Sequence, residues 1–399
     1  RNHTSIALWC GNNENSEAWK RWGWQNNRGK KEKNEIWGNY LTLFKKILPS
    51  IVAKHSHTDY WETSPKYGRG NPKYLLEGDA HDWWIWHDEK PFEHLLQKVP
   101  RFMSEFGFQS FPSFETVKYI NQKNEIDLKT EAIKSHQKHP KGFELMEKYM
   151  KRDYKIPTSD EDYVYVSQLL QAKGIVMGIE AQRRAKPYNM GTLYWQLNDC
   201  WPAISWSGID YFGNWKALQY KVKNAFENVL VSSIIEKNNV KTYIINDTFQ
   251  TIKGTLELKI IDFYGNEIWS DVKEIESIEN SSQEFYHFPI AKIDKKSTLL
   301  ITKFNNQTSY FYFVKPKELK LPKSNIQQKI VKTDKGFSIT IESTVLLKDV
   351  FLFTKDKGHF SDNFFDVLPN QTKTVFFETK TTNLVDLKIK TLNKINVSD

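Results

Sequence analysis

The residues of this sequence best suited to chemistry are two glutamates, each placed at the end of a short apolar run. Glu14 follows the run at residues 6–9 after a polar loop, and Glu105 closes the run that begins at Arg101. A carboxyl group in apolar surroundings is costly unless it is paired or hydrogen-bonded. One such glutamate would be an ordinary loop or helix-terminal charge, whereas two, both flanked by aromatic residues, predict an acid/base pair.

The motifs of other catalytic chemistries are not found in the sequence. It contains no Gly-x-Ser-x-Gly, no P-loop, no Gly-x-Gly-x-x-Gly and no Cys-x-x-Cys. Four histidines have spacings unlike those of helical metal-ligand pairs, and we expect them in loops or beside other functional groups: His55, His57, His81 and His87. Cys10 lacks the context of a thiol enzyme, so we expect it to be a small buried residue.

Length and composition limit the classes of protein that remain. The chain has 399 residues, 39% of them hydrophobic and 26% charged, which predicts two to three domains with real cores and excludes disorder. No uncharged apolar run reaches the roughly 18 residues that a membrane-spanning helix needs. The net charge of +9 is spread along the chain without a zinc-finger or RNA-binding signature. We therefore expect no nucleic-acid partner.

The tryptophans divide the sequence into two unlike regions. Of 14 tryptophans, 13 lie between Trp9 and Trp215, and Trp269 is the single one beyond. Large aromatic side chains serve either an apolar core or a cleft that stacks on flat ligand faces such as sugar rings. We therefore expect any ligand cleft to lie in the first region.

The first region alternates strand-like and helical segments, which predicts a parallel α/β fold. Strands are predicted at residues 6–9, 51–53, 101–106 and 191–195. Helices are predicted to end before Pro49, to cover residues 92–98, and to run from a Thr158–Glu161 capping box toward residue 185. Both glutamates then fall at the carboxyl ends of strands, where barrel enzymes place their reacting groups.

The second region, from about residue 231, has the period-two pattern of β-strands. Strands are predicted at 255–260, 337–341, 374–377 and 387–390, with a turn at 264–267. Short strands at this spacing indicate β-sandwiches, and the break at 321–324 divides them into two. The predicted domains are therefore 1–230, 231–320 and 321–399, and no cluster of acids, histidines or cysteines in the last two points to chemistry.

Several motifs carry a resemblance to a known enzyme family. The segments RNHTSI at residues 1–6 and GNNEN at 11–15 resemble the acid/base motif of glycoside hydrolase family 2, and SEFG at 104–107 resembles its nucleophile strand. The extension FQSFPS at 108–113 and the segment GTLYWQLNDCWP at 191–202 resemble β-mannosidases in particular. These motifs span residues 1 to about 220 in the expected order.

The resemblance implies both a fold and how much of the enzyme this chain contains. It implies the C-terminal part of a (β/α)8 TIM barrel, strands 4–8, followed by two all-β immunoglobulin-like sandwich domains. Strands 1–3 and the preceding domains would then be missing from the chain. We accordingly expect the missing N-terminal half of the same enzyme to be a required partner, and the chain alone to be inactive.

The resemblance also implies residue roles in a retaining exo-glycosidase that releases terminal β-D-mannose from β-mannosides by double displacement. The implied roles are general acid/base for Glu14, nucleophile for Glu105, bonding near the sugar 2-hydroxyl for Asn13, shaping of the mannose subsite for Trp22 and Trp195, and a place in the cleft for His81. Burial and mutual repulsion would raise the pKa of the acid above that of the nucleophile. No metal ion and no organic cofactor is implied.

Two alternatives remain at the level of sequence. Another family 2 hydrolase, an exo-β-glucosaminidase or an endo-β-mannosidase, would keep both glutamates and change the sugar. A non-catalytic carbohydrate-binding fragment would use its tryptophan faces and sandwiches without turnover. Asp199 either supports Trp195 or stabilises a loop.

Overall fold

The computed structural model describes residues 2–291 and 293–396, so Arg1 of the RNHTSI motif lies outside the described residues. The chain divides into two compact units. The first contains the residues up to 106 together with 185–194, and the second contains 107–184 and the chain from 195 onward. None of the helices in the described ranges has the length and apolarity needed to cross a membrane.

Short parallel strands form the framework of the first unit: β1 (Trp9–Cys10), β2 (Tyr60–Trp61), β3 (Ala80–His81) and β4 (Met103–Glu105). β1 pairs with β2 and β3 pairs with β4, and Met103 also bridges in parallel to Thr192. The parallel strands predicted around residues 9 and 103 are confirmed, although they are shorter than expected. Cys10, expected to be buried, is exposed, because successive side chains of a strand point to opposite faces.

The helices of the first unit are α1 (Asn15–Arg21), α2 (Lys30–Thr42), α3 (Leu48–His55) and α4 (His94–Gln97). The predicted strand at 51–53 is wrong, because these residues lie in α3. α2 does not end before Pro49 but continues through a π-helical turn, Leu43–Ile47, into α3. Pro49 is tolerated in the first turn of α3, where the regular hydrogen-bond ladder is already interrupted. A three-residue apolar run cannot distinguish a strand from a helix by periodicity.

The helices of the second unit are α5 (Phe114–Asn121), α6 (Glu131–Ser135), α7 (Gly142–Asp153), α8 (Asp160–Arg184) and α9 (Ala217–Ala225). The long helix predicted to run toward residue 185 is confirmed as α8, but its cap is one residue later. The Ser159 hydroxyl accepts the Asp162 N–H at 3.2 Å and donates to the Asp162 carboxylate at 2.7 Å. Thr158 and Ser159 each precede an acid by three residues, so the sequence alone did not distinguish between them.

Seven strands follow α9: β5 (Val229–Glu236), β6 (Asn239–Asn246), β7 (Ile252–Asp262), β8 (Glu267–Ser277), β9 (Ser281–Pro289), β10 (Thr298–Phe304) and β11 (Gln307–Tyr312). They form two antiparallel sheets, in the orders β5-β6-β9 and β11-β10-β7-β8. Val240 of the first sheet packs in one core with Leu258 and Phe304 of the second. The predicted strand at 255–260 and the turn at 264–267 are confirmed.

A second sandwich follows: β12 (Gln327–Thr333), β13 (Gly336–Ser343), β14 (Leu347–Phe353), β15 (Gly358–Phe360), β16 (Phe365–Val367), β17 (Gln371–Thr379) and β18 (Lys388–Lys390), with α10 (Leu392–Asn396) after it. The sheet orders are β12-β13-β17-β15 and β16-β14-β18. Ile339 and Val375 of the first sheet pack with Leu352 of the second. The strands predicted from residue 337 onward lie in β13, β17 and β18.

Buried charges join the helices of the second unit to both sandwiches. Arg183 of α8 forms an ion pair with Asp247 at 2.9 Å, beside the first sandwich. Lys221 of α9 reaches Asp349 of β14 at 3.1 Å, and Lys348 contacts the same carboxylate at 3.0 Å. Each sandwich is therefore attached to the helices by ion pairs as well as by apolar contact.

Candidate active site

Glu14 is fixed where the loop after β1 enters α1. Its backbone lies in the left-handed region, with φ 61° and ψ 3°, a conformation that costs roughly 1–2 kcal/mol for a residue other than glycine. Two hydrogen bonds hold it there. The Glu14 N–H donates to the Ser64 carbonyl at 2.8 Å, and the Glu14 carbonyl accepts from the Ala18 N–H at 2.9 Å. The carboxyl group therefore projects from a fixed backbone.

Asn12 and Gly11 hold the loop that carries Glu14 against β2. The Asn12 amide donates to the Glu62 carbonyl at 2.7 Å, and its oxygen accepts from Thr63 Oγ1 at 2.9 Å. A Cβ at Gly11 would lie 2.4 Å from the Tyr60 hydroxyl oxygen and 2.6 Å from the Glu62 carbonyl oxygen. Glycine is thus required for the two chain segments to approach this closely.

Glu105 ends β4 and is buried. The Trp83 Nε1–H donates to Glu105 Oε1 at 3.1 Å, and the Glu105 carbonyl accepts the Asp82 N–H at 2.7 Å. A buried carboxylate needs donors of this kind to replace lost water. Its side chain is 12% exposed, compared with 16% for Glu14.

His81 lies between the two glutamates. Its Nδ1 atom is 2.6 Å from Glu14 Oε1 and 3.5 Å from Glu105 Oε2. A carboxylate oxygen of Glu14, a carboxylate oxygen of Glu105 and a ring nitrogen of His81 all lie within 4.8 Å of one another. The structure therefore brings together three of the residues singled out by sequence, all of them in the first unit.

Behind His81 lies a row of hydroxyl and carboxylate groups. The His81 Nε2 atom is 2.8 Å from Ser64 Oγ, which is 2.5 Å from Asp79 Oδ2. Asp79 Oδ2 also accepts from Ser104 Oγ at 2.7 Å, and Asp79 Oδ1 accepts the Lys66 N–H at 2.8 Å. We name this row, from Asp79 through Ser64 to His81, the Asp79 chain.

Burial raises the pKa of the Glu105 carboxyl; His81 and the Trp83 N–H oppose this effect, and the charge of Glu14 adds to it. We expected burial and repulsion to act on the pKa of the acid/base residue. The structure shows such an effect at Glu105, the residue expected to be the nucleophile. Because a nucleophilic carboxylate must be ionised, His81 and Trp83 are the groups that favour its reactive form.

Among residues 2–291 and 293–396, one set of acidic and histidine side chains is close enough to share a metal ion: Glu14, His81 and Glu105. Two ligands on one tetrahedral zinc ion, each about 2.0–2.1 Å from the metal, would lie about 3.3 Å apart. The 2.6 Å separation between His81 Nδ1 and Glu14 Oε1 is instead that of a hydrogen bond. The geometry therefore fits a proton-sharing group better than a metal centre.

The other residues singled out by sequence are not members of this group. Asn13 precedes Glu14 and bridges in parallel to Ser64, with an exposed side chain. Trp22 lies at the far end of α1 and is 52% exposed, and Trp195 belongs to the second unit and is 42% exposed. Asp199 accepts hydrogen bonds from two serine hydroxyls, Ser205 and Ser207, which accords with a loop-stabilising role.

Four residues that bond to the group or stand behind it in the Asp79 chain were not singled out by sequence: Ser64, Asp79, Trp83 and Ser104. The spacing of Asp79 and His81 was a usable signal, because residues two apart on a strand share a face. Ser64 gave no signal, since the strand that precedes it, β2, is predicted from sequence at residues 51–53.

Both sandwich regions of the chain match families of known domains. Residues 238–318 match the model of a mannosidase Ig/CBM-like domain. Residues 321–395 match that of the Ig-fold domain of mannosidases. Both sandwiches of the second unit are therefore immunoglobulin-like.

Whole-protein relatives extend the match to the first unit. A β-mannosidase from Mus musculus is 26% identical, with 97% of this chain and 48% of the relative covered. β-Mannosidase B from Aspergillus fumigatus is 28% identical, with 65% of this chain and 34% of the relative covered. The crystal structure of a β-D-mannosidase from Dictyoglomus thermophilum is 29% identical with a TM-score of 0.85, covering 98% of this chain and 48% of that one. The chain thus spans between a third and a half of the length of these relatives.

Proposed function

Because the chain is related to the carboxyl-terminal portion of the glycoside hydrolase family 2 β-mannosidases, we propose that it carries the catalytic carboxyls of a retaining exo-β-mannosidase. The enzyme would release terminal β-D-mannose from the non-reducing ends of β-mannosides. Glu105 acts as the nucleophile and Glu14 as the general acid/base. Asn13, Trp22 and Trp195 contact the terminal mannose in this proposal.

The observation that supports the proposal most directly is the closeness of the two carboxyls. Their oxygens and the His81 nitrogen lie within 4.8 Å of one another. Retaining glycosidases hold their carboxyls about 5–5.5 Å apart, whereas inverting enzymes leave about 6.5–9.5 Å for a water molecule. The spacing favours direct attack by a carboxylate.

The chemistry then runs in two steps. Glu105 attacks the anomeric carbon while Glu14 protonates the departing glycosidic oxygen, and a glycosyl ester forms on Glu105. Glu14, now ionised, accepts a proton from water, and the hydroxide cleaves the ester with net retention of configuration. The Trp83 N–H stabilises the Glu105 carboxylate before attack and after release.

We also propose that the parallel strands of the first unit are strands 4–8 of a (β/α)8 barrel. β1, β2, β3, β4 and the segment at Thr192 would follow in that order, within a domain covering residues 1–230. Residues 231–320 and 321–399 would be the two immunoglobulin-like domains. This order supports placing the acid and nucleophile at carboxyl ends of barrel strands, where such enzymes carry their sites.

The test is hydrolysis of a panel of nitrophenyl glycosides by the protein from its natural source, with the 399-residue chain assayed beside it. We expect β-mannoside hydrolysis with retained configuration, and Glu105→Gln lowers kcat by about 10⁴-fold or more. Glu115→Gln, an exposed glutamate of α5, is the matched control and keeps full activity.

Other outcomes would replace the proposal. Near-wild-type turnover by folded Glu105→Gln contradicts the nucleophile assignment. Preference for a β-glucosaminide would move the enzyme to another family 2 specificity. Binding of mannose oligosaccharides without turnover would indicate a carbohydrate-binding protein.

A further inference from the structure

The Asp79 chain ends on the proposed acid/base residue, and its hydrogen bonds can be assigned a direction. Asp79 is 5% exposed and, as a carboxylate, has only acceptor atoms. The Lys66 N–H occupies Oδ1, and the Ser64 and Ser104 hydroxyls lie at Oδ2. The Ser64 hydrogen therefore points to Asp79.

A serine hydroxyl has one hydrogen, so its oxygen must accept its other bond. The other bond of Ser64 is the one to His81 Nε2 at 2.8 Å. Nε2 consequently carries a hydrogen. Nδ1 is the ring nitrogen that faces the glutamates. With a hydrogen fixed on Nε2, only the presence or absence of a hydrogen on Nδ1 is left to determine.

We propose that Asp79 and Ser64 are positioning residues that fix a proton on His81 Nε2, so that His81 Nδ1 and Glu14 Oε1 share one further proton. The 2.6 Å separation places that proton between the ring and the carboxyl. Either Glu14 is a carboxylic acid that donates to Nδ1, or His81 is an imidazolium that donates to the carboxylate. A second proton does not fit between two atoms this close.

The consequence for catalysis rests on the proposed function. The shared proton passes from Glu14 to the leaving-group oxygen as the glycosidic bond breaks, leaving Glu14 ionised and His81 neutral. In the second step one proton of the attacking water passes to Glu14, while the water oxygen bonds to the anomeric carbon and the bond from that carbon to Glu105 breaks. The Glu14–His81 pair thus ends each cycle with the one proton that it had at the start.

Asp79→Asn gives a directional test because the surroundings fix the orientation of the new amide. The Lys66 N–H requires the amide oxygen at the Oδ1 position, so the amide nitrogen takes the place of Oδ2. Ser104 can turn its hydrogen to the Ala80 carbonyl, which lies 3.2 Å away. Ser64 then accepts from the amide and donates to His81 Nε2, and the neutral ring must carry its hydrogen on Nδ1 instead. A comparable tautomer change underlies the loss of activity when the triad aspartate of a serine protease becomes asparagine.

The experiment is nitrogen NMR of the full chain labelled with ¹⁵N-histidine, in which His81→Gln identifies the His81 signal among the ten histidines. We expect a protonated Nε2 in the wild type and in Ser64→Thr, and transfer of that proton to Nδ1 in Asp79→Asn. Ser104→Ala is the matched control, since it removes a different hydroxyl from the same carboxylate and leaves Nε2 protonated. An unprotonated Nε2 in the wild type would overturn the proposal without any variant, as would an unchanged tautomer in folded Asp79→Asn.

Activity supplies the second readout and separates the two proposals. In Asp79→Asn we expect kcat/KM to fall about 10²–10⁴-fold for a methoxyphenyl β-mannoside, the range of general acid catalysis. The loss should be small for a dinitrophenyl β-mannoside, whose leaving group needs no proton. Equal losses on both substrates would contradict the positioning role. If neither this chain nor the protein from its natural source hydrolyses any mannoside, the proposed function fails while the NMR result still decides the tautomer.

Discussion

Lys216 offers a prediction whose size follows from the structure and whose test needs no enzymatic activity. It lies immediately before α9 and is 1% exposed. Its Nζ atom reaches the Ser110 carbonyl at 3.5 Å. Burial lowers the pKa of Lys216 from 10.5 to about 8, and the charges of Asp199 and Asp210 oppose the decrease. Both carboxylates already accept hydroxyl hydrogen bonds.

The pKa difference converts directly into free energy. A lysine that titrates at 10.5 when unfolded and at about 8 when folded lowers the free energy of unfolding by about 3 kcal/mol at neutral pH. The sign follows from proton binding: between these pKa values the unfolded chain binds more protons, so stability rises with pH. The cost is fully present below the folded pKa and is relieved as pH rises toward the unfolded pKa.

The perturbation is Lys216→Met, which keeps the volume and removes the charge. The assay is urea unfolding of wild type and variant at several pH values, followed by circular dichroism. From about pH 7 to about pH 9.5, the unfolding free energy of the wild type should rise by about 2 kcal/mol relative to the variant. Taking the difference in unfolding free energy between the two proteins removes the contributions of all other titrating groups, because those groups are present in both.

A constant difference between the two proteins across this range would refute the argument, because it would mean that the ammonium is as well solvated folded as unfolded. Lys118→Met is the matched control. Lys118 is a partly exposed residue of α5 whose ammonium pairs with the exposed Glu115, and its substitution should leave the pH dependence unchanged.

Two further predictions concern buried charges elsewhere. Trp83→Phe removes the N–H donor to Glu105 and so raises the pKa of that carboxyl further. The acid limb of the kcat/KM profile should therefore move to higher pH, and an unmoved limb would count against Glu105 as the nucleophile. Asp349→Asn leaves the ammonium groups of buried Lys348 and partly buried Lys221 without their shared carboxylate. We expect a loss of about 3–5 kcal/mol of unfolding free energy in urea titrations, and a loss below 1 kcal/mol would mean that the cluster is solvated.

Much of the fold could be predicted because hydrophobic periodicity reports burial directly. The strand at 255–260 alternates strictly and is found in β7, and the helix toward residue 185 is long enough to be unmistakable. The strand predicted at 51–53 is wrong because that segment is too short to show a period. Three apolar residues carry no period, and the helix through Pro49 needs a π-helical turn that sequence does not reveal.

The residues of the candidate site also divide into those that could be predicted from the sequence and those that could not. Glu14 and Glu105 could be paired from sequence, because each follows a strand-like run and parallel strands end on one side. Ser64 could not be found, because the strand that precedes it, β2, is predicted at 51–53 instead of Tyr60–Trp61. Trp83 was visible as one of many aromatic residues, but its N–H bond to Glu105 depends on a loop conformation that has no periodic signature.

One irregularity in strand register decides whether the site can form at all. β3 and β4 pair at Ala80 with Met103 and then at His81 with Glu105, so Ser104 is an extra residue on β4. Without that shift His81 would lie opposite Ser104, and Glu105 would face the other side of the strand. With it, Glu105 faces His81 while Ser104 reaches Asp79, and one inserted residue supplies both a carboxyl beside the ring and a hydroxyl behind it. Such bulges are rare in parallel pairs and re-aim side chains beside active sites, which is why alternation along β4 could not predict this contact.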